Sequence, residues 1–231
     1  MRLPICGMIA GALLLLAAPA CQKNDCDQDR DLDRKIAGCT GVVDDRKESA
    51  RIGGFAYNSR GNAWSAKGDH DHAIADYTEA IRLDPKSFNA YKNRGQEYFY
   101  KGEFPAAAAD MLRATDLAHE AYPMLWQFLA RGRMGQDGAA ELSANAARLK
   151  TKDWPYQVID FYLGRRSLDE MRTAASKPEE KCEAVFYAGQ WHLLRVNKAD
   201  AKVALQNAAD TCPKNFSEYA GAVAELKRLN P

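Results

Sequence analysis

This chain lacks a long apolar run: the one at Ile9 to Ala18 is too short to span a bilayer comfortably as a permanent helix. It has no excess of either charge. Its 32 Lys and Arg stand among 31 Asp and Glu, interspersed throughout, and nothing in that balance suggests a nucleic-acid partner. Histidine is scarce, with four in 231 residues, and none has a serine or cysteine at a spacing that would pair a nucleophile with its base. There is no Cys-x-x-Cys pair to start a zinc site and no GxxxxGK phosphate loop. No Ser/Gly/Pro-rich linker interrupts the pattern, so the chain reads as one continuous domain long enough for five or six helix pairs.

What is present begins with an export signal over residues 1–20. Arg2 supplies the positive start, Ile9 to Ala18 the apolar core, and Ala18-Pro19-Ala20 a small-x-small cleavage site. The mature chain then starts at Cys21, which resembles the lipid-modified residue of bacterial lipoproteins although Ala18 stands where leucine is usual. Export permits disulfides. Cys182 falls at the first residue of the last helical hairpin and Cys212 near its last, at the open end where two antiparallel helices lie side by side. Cys26 stands where it could staple a short N-terminal arm to the helix carrying Cys39. Four cysteines allow three connectivities, and a zinc site built from all four is the rival reading.

The chain also repeats itself. Thirty-four residues separate Gly61 from Gly95, Ala73 from Ala107, Tyr77 from Met111 and Ala80 from Ala114. In each copy a first helix carries an aromatic, a glycine and an aromatic on one face: Tyr57, Gly61 and Trp64, then Tyr91, Gly95 and Tyr98. A glycine turn follows, and a second helix presents small residues toward the first, letting the two axes approach closely. Gly53-Gly54 reads as a hinge before the first of these helices.

On these residues the chain resembles the tetratricopeptide repeat family. The resemblance implies an all-α fold, a right-handed solenoid of antiparallel helix pairs, here with an irregular central segment and a C-terminal capping helix. The expected organisation is the signal at 1–20, a truncated repeat at 21–49, two full repeats at 50–119, the irregular segment at 120–176, and a last repeat with its cap at 177–231. The apolar face of the cap helix would include Phe216, Tyr219, Val223, Leu226 and Leu229. Helix residues not used in packing would line a groove: Asn58, Asn62, Asn89, Lys92, Asn93 and Gln96. Asparagine amides can bond an extended peptide backbone without imposing sequence. Asn62 and Asn93 match two positions of the family's carboxylate clamp, but Asn58, Pro123 and Gln127 stand where it needs cations.

Later segments are similar to the NlpI-type bacterial lipoproteins: Leu125-Trp126-Gln127-Phe128-Leu129-Ala130, then Trp154-Pro155 with Val158 to Gly164, then Phe186-Tyr187-Ala188-Gly189 and Asn215 to Tyr219. That resemblance implies a non-enzymatic envelope adaptor, often dimeric, lipid-anchored and without cofactor. Its partner would be a periplasmic carboxyl-terminal processing protease or a peptidoglycan hydrolase. The alternative is a general periplasmic assembly scaffold with no protease link. A metal-dependent hydrolase using His70 and His72 is the weaker reading, because no third ligand is placed by the sequence and the pair belongs to a turn.

Overall fold

Helices in this chain begin where a short polar side chain can accept an orphan backbone N–H. Asp31 accepts from Arg34 N ahead of α1 (Leu32–Asp44), Ser49 from Ile52 N ahead of α2 (Ala50–Ala66), and Asp69 from His72 N ahead of α3 (His70–Leu83). Then follow α4 (Phe88–Lys101), α5 (Phe104–Leu117), α6 (Ala121–Arg133), α7 (Ala139–Ala146), α8 (Tyr156–Tyr162), α9 (Leu168–Ala174), α10 (Pro178–Leu194), α11 (Lys198–Thr211) and α12 (Ser217–Leu229). Ser167 and Glu170 close a full capping box ahead of α9, and Asn197 caps α11. These assignments come from a computed structural model, which describes residues 23–27, 31–45 and 49–230; no strand occurs among them. The export signal and Cys21 lie outside the described residues. Two compact units divide after Arg94, inside α4.

In the first unit α2 and α3 form an antiparallel pair. A Cβ on Gly61 would fall 2.7 Å from the Tyr77 ring, so the absence of a side chain there is what lets a buried tyrosine lie flat across α2. Gly53 and Gly54 correct the expectation of a hinge. They lie inside α2 and are buried where the end of α3 packs on it, a Cβ on Gly53 falling 3.2 Å from Leu83 Cδ1. Arg60 fastens the other side: its Nε and Nη2 grip Asp76 at 2.8 and 2.7 Å, while Nη1 donates to Thr40 Oγ1 at 2.9 Å. One guanidinium thus joins α1, α2 and α3, and the Asp76 carboxylate raises its pKa. Cys26 and Cys39 are disulfide-bonded and bury with Val42 and Ala56.

The second unit repeats the helix-pair device with different residues. Gly95 faces Met111, and Gly189 faces Leu205 with only 2.8 Å between a notional Cβ and Leu205 Cγ. Cys182 at the start of α10 is bonded to Cys212 at the end of α11. Trp126, fully buried, meets Phe99, Tyr100 and Phe186 with ring centroids 4.9–5.9 Å apart.

The last helix packs Phe216, Tyr219, Leu226 and Leu229 of its apolar face against the core, and buries a neighbouring face more deeply. The face of α12 that buries is Glu218, Gly221, Ala222, Ala224 and Glu225, whereas Phe216, Tyr219, Val223, Leu226 and Leu229 are only partly covered. The cause is close approach: Gly221 lies against Phe186 and Trp126, a distance that large side chains would prevent. α12 packs on α11 and α10 and is bonded to α4 and α6. Tyr100 Oη donates to the Ser217 carbonyl, Arg133 pairs with Glu225, and Tyr187 Oη donates to Glu218.

Two stability outcomes follow. Gly61→Ala should cost about 1–3 kcal/mol, since a buried tyrosine ring has nowhere to move, and lower the thermal midpoint by several degrees in calorimetry. Val196, in the turn between α10 and α11, has φ +60° where the turns at Gly68, Gly102, Gly135 and Gly164 use glycine. The β-branched side chain is exposed there and nothing compensates the strain. Val196→Gly should relieve about 1–2 kcal/mol of it against roughly 0.5–1 kcal/mol of added unfolded-chain entropy, raising the midpoint slightly.

Candidate peptide-binding face

Five of the six residues expected to line a groove stand in the first unit: Asn58 and Asn62 on α2, Asn89, Lys92 and Asn93 on α4. Gln96 belongs to the second unit. Spacings of three, four and seven residues put each set on one side of its helix. The structure joins three of these amides to one another. Asn62 Oδ1 accepts from Asn93 Nδ2 at 2.9 Å, and the same Nδ2 lies 3.4 Å from Asn58 Oδ1. Tyr77 Oη donates to Asn62 Oδ1 at 2.8 Å. The ring that fills the Gly61 notch therefore also orients an amide on the surface. With these atoms engaged, Asn58 and Asn62 keep N–H donors for a ligand and Asn93 keeps its carbonyl oxygen.

Beside this cluster lies a cavity of about 370 Å³ lined by Arg51, Ile52, Phe55, Asn58, Ser87 and Asn89, with Gly54 and Asp84. Phe55 is 57% exposed and Ile52 40%. Single exposed apolar residues are ordinary, but two beside a cavity and an amide cluster make a site. Arg51 and Lys92 have no carboxylate partner among the described residues; the Lys92 ammonium lies over the Phe88 ring. Asp84 is engaged by its own turn, accepting from Lys86 N. Sequence reasoning missed Arg51, Ile52, Phe55 and Ser87. The signal was available: once Gly53 and Gly54 are placed inside a helix, Ile52 and Phe55 must face away from the buried side.

In the second unit α12 packs on α10, and its Gly221 meets Trp126 of α6. Pro123 and Gln127 are buried. His70 and His72 gather no metal site: His72 Nδ1 bonds Asp69 at 2.8 Å and its ring stacks on Trp64 at 4.8 Å. Among the described residues no group of three or more His, Cys, Asp or Glu is placed to hold a metal.

The tetratricopeptide repeat family matches residues 55–87, from within α2 through α3 to the start of the next helix. With helices as the only regular structure among the described residues, this is an all-α protein of tetratricopeptide type, and such repeats support protein–protein interaction.

The acids under α12 set a pH dependence. Glu183 is buried near Glu218 and accepts from Tyr122 Oη at 2.9 Å and Trp154 Nε1 at 2.7 Å. Burial, and then the neighbouring Glu218 charge, push its pKa up to about 7. An unfolded glutamate ionises near pH ~4.3, so between that value and about 7 the folded state holds a proton that the unfolded state has lost. This contribution to stability is fully present below that window and is lost as pH rises through it. Glu183→Gln should flatten the fall in unfolding free energy across that window in denaturant titrations at several pH values.

Proposed function

We propose that this protein is an exported adaptor that binds other proteins as extended segments on the α2/α4 face of its first unit. The observation that carries the reading is the oriented Asn58–Asn62–Asn93 amide cluster beside the Phe55 cavity. Amides of fixed orientation bond a peptide backbone whatever its sequence, and the cavity adds one demand, a large apolar side chain within a few residues. An apolar anchor surrounded by polar contacts is the usual distribution of energy at such surfaces.

Export rests on residues 1–20 and is supported by the two bonded cysteine pairs, which suit an oxidising compartment. Cys21 is the proposed lipid anchor. The resemblance to the NlpI-type lipoproteins supports the finer reading: an envelope adaptor, a homodimer on that analogy, that brings substrates to a periplasmic carboxyl-terminal processing protease or to peptidoglycan hydrolases.

Purified mature protein, immobilised in envelope extract, should retain a protease or a cell-wall hydrolase. Phe55→Asp and Asn62→Ala should each lower that recovery by about tenfold while leaving the thermal midpoint within a few degrees, since both side chains are exposed. Recovery of neither enzyme class would remove the adaptor reading and leave a general assembly scaffold. Unchanged recovery with both variants would remove the α2/α4 face.

A further inference from the structure

A second cavity, of about 520 Å³, lies in the second unit between the end of α5 and the segment joining α7 to α8. Its size is within the roughly 300–1,000 Å³ range of small-ligand sites. Tyr122, Trp154 and Tyr156 form its walls with Leu149 and Pro155. Two of those rings are held from behind by one buried group: Tyr122 Oη and Trp154 Nε1 both donate to Glu183 Oε2. The aromatic surface is therefore set before anything arrives, which lowers the entropy cost of binding.

The mouth carries a positioned cation. His119 Nδ1 lies 3.0 Å from the Thr115 carbonyl, which can only accept, so that nitrogen holds the proton. Nε2 is then an acceptor and takes an N–H from Arg148 Nη2 at 2.7 Å. The guanidinium is thereby oriented by an uncharged imidazole instead of a carboxylate. It is fixed in direction without being neutralised, and most of its N–H donors remain for a ligand. Lys150, on the same rim, likewise has no ion-pair partner among the described residues. Glu120 and Asp153 also stand on that rim. They oppose a phosphate ester or a polyanion more strongly than a single negative charge.

We propose that this cavity binds a monocarboxylate with a large apolar body, its carboxylate on Arg148 and its body against Trp154, Tyr122 and Tyr156. The site is separate from the α2/α4 face and does not depend on the adaptor reading. A free aromatic acid and the last residue of a polypeptide share this chemistry, and the probes below separate them.

Calorimetric titration of the full mature chain would use phenylpropionate, an acetylated Gly-Gly-Phe peptide with a free terminus, its C-terminal amide, and inorganic phosphate. The expected result is saturable binding of at least one carboxylate probe, weakened at least about tenfold by amidation of the peptide or by Arg148→Ala. Arg148 is exposed, so that variant should fold, and an unchanged circular dichroism melt would verify it. Tighter binding of the peptide assigns a chain terminus as the ligand, and tighter binding of phenylpropionate assigns a free organic acid. Failure of both carboxylates to bind, equal binding by folded Arg148→Ala, or phosphate binding as tightly as either would overturn the proposal.

Discussion

Everything in this molecule depends on two helices coming closer than ordinary side chains permit. At Gly61, Gly95 and Gly189 the first helix of a pair presents bare backbone, and Tyr77, Met111 or Leu205 from the second lies across it. The notch determines where the pair crosses and in which register, since only one position along the helix will admit the large residue. A Cβ at these glycines would fall 2.7–3.0 Å from the facing side chain, so an added methyl group has no void to enter. Because the same contact recurs with a tyrosine, a thioether and a leucine, the constraint is shape and volume rather than any particular chemistry.

In the first unit that contact has a second use. Tyr77 is long enough to cross α2 and still place its hydroxyl on the Asn62 amide, which Met111 and Leu205 at the equivalent position could not do. Fold and binding face therefore share one side chain. In the second unit α12 packs on α10 and α11, with Glu218 and Glu225 buried among Tyr187, Gln190, Arg133 and Arg228. Burial of a carboxylate is tolerable only with such partners. The same amphipathic architecture thus leaves an open polar face in one unit and a closed, hydrogen-bonded interior in the other.

The all-α class and the helix pairs were legible because spacing within a helix is written directly into sequence: Gly61 and Gly95 recur at the period, and small residues oppose them. Tertiary partners are written less plainly. Gly53-Gly54 looked like a breaker because isolated glycines disfavour helix; the approach of Leu83, which overrides that preference, comes from thirty residues downstream. The inward face of α12 extends beyond its apolar stripe for a related reason. Hydrophobicity points to Phe216, Tyr219 and Leu226, which do pack on the core, but the space beside Trp126 and Phe186 admits only Gly221 and Ala222, bringing Glu218 and Glu225 inside as well. Arg60 and Asp76 are similarly indistinguishable in sequence from solvent-exposed charges. For the candidate face, periodicity indicated which asparagines share a side of α2 and α4. It could not indicate that they bond one another, nor that Phe55 stands exposed beside them.

The orientation of those amides carries a directional consequence. A polypeptide backbone is not symmetric end to end; its donors and acceptors alternate in a sense that reverses when the chain is turned round. Because Tyr77 turns the Asn62 oxygen inward and Asn93 spends its nitrogen on that oxygen, the surface shows hydrogens at Asn58 and Asn62 and an oxygen at Asn93. A segment laid across it with its amino end leading meets a different pattern from one laid in reverse. On the proposed reading, a buried phenol thereby gives a sequence-indifferent surface a preferred reading direction.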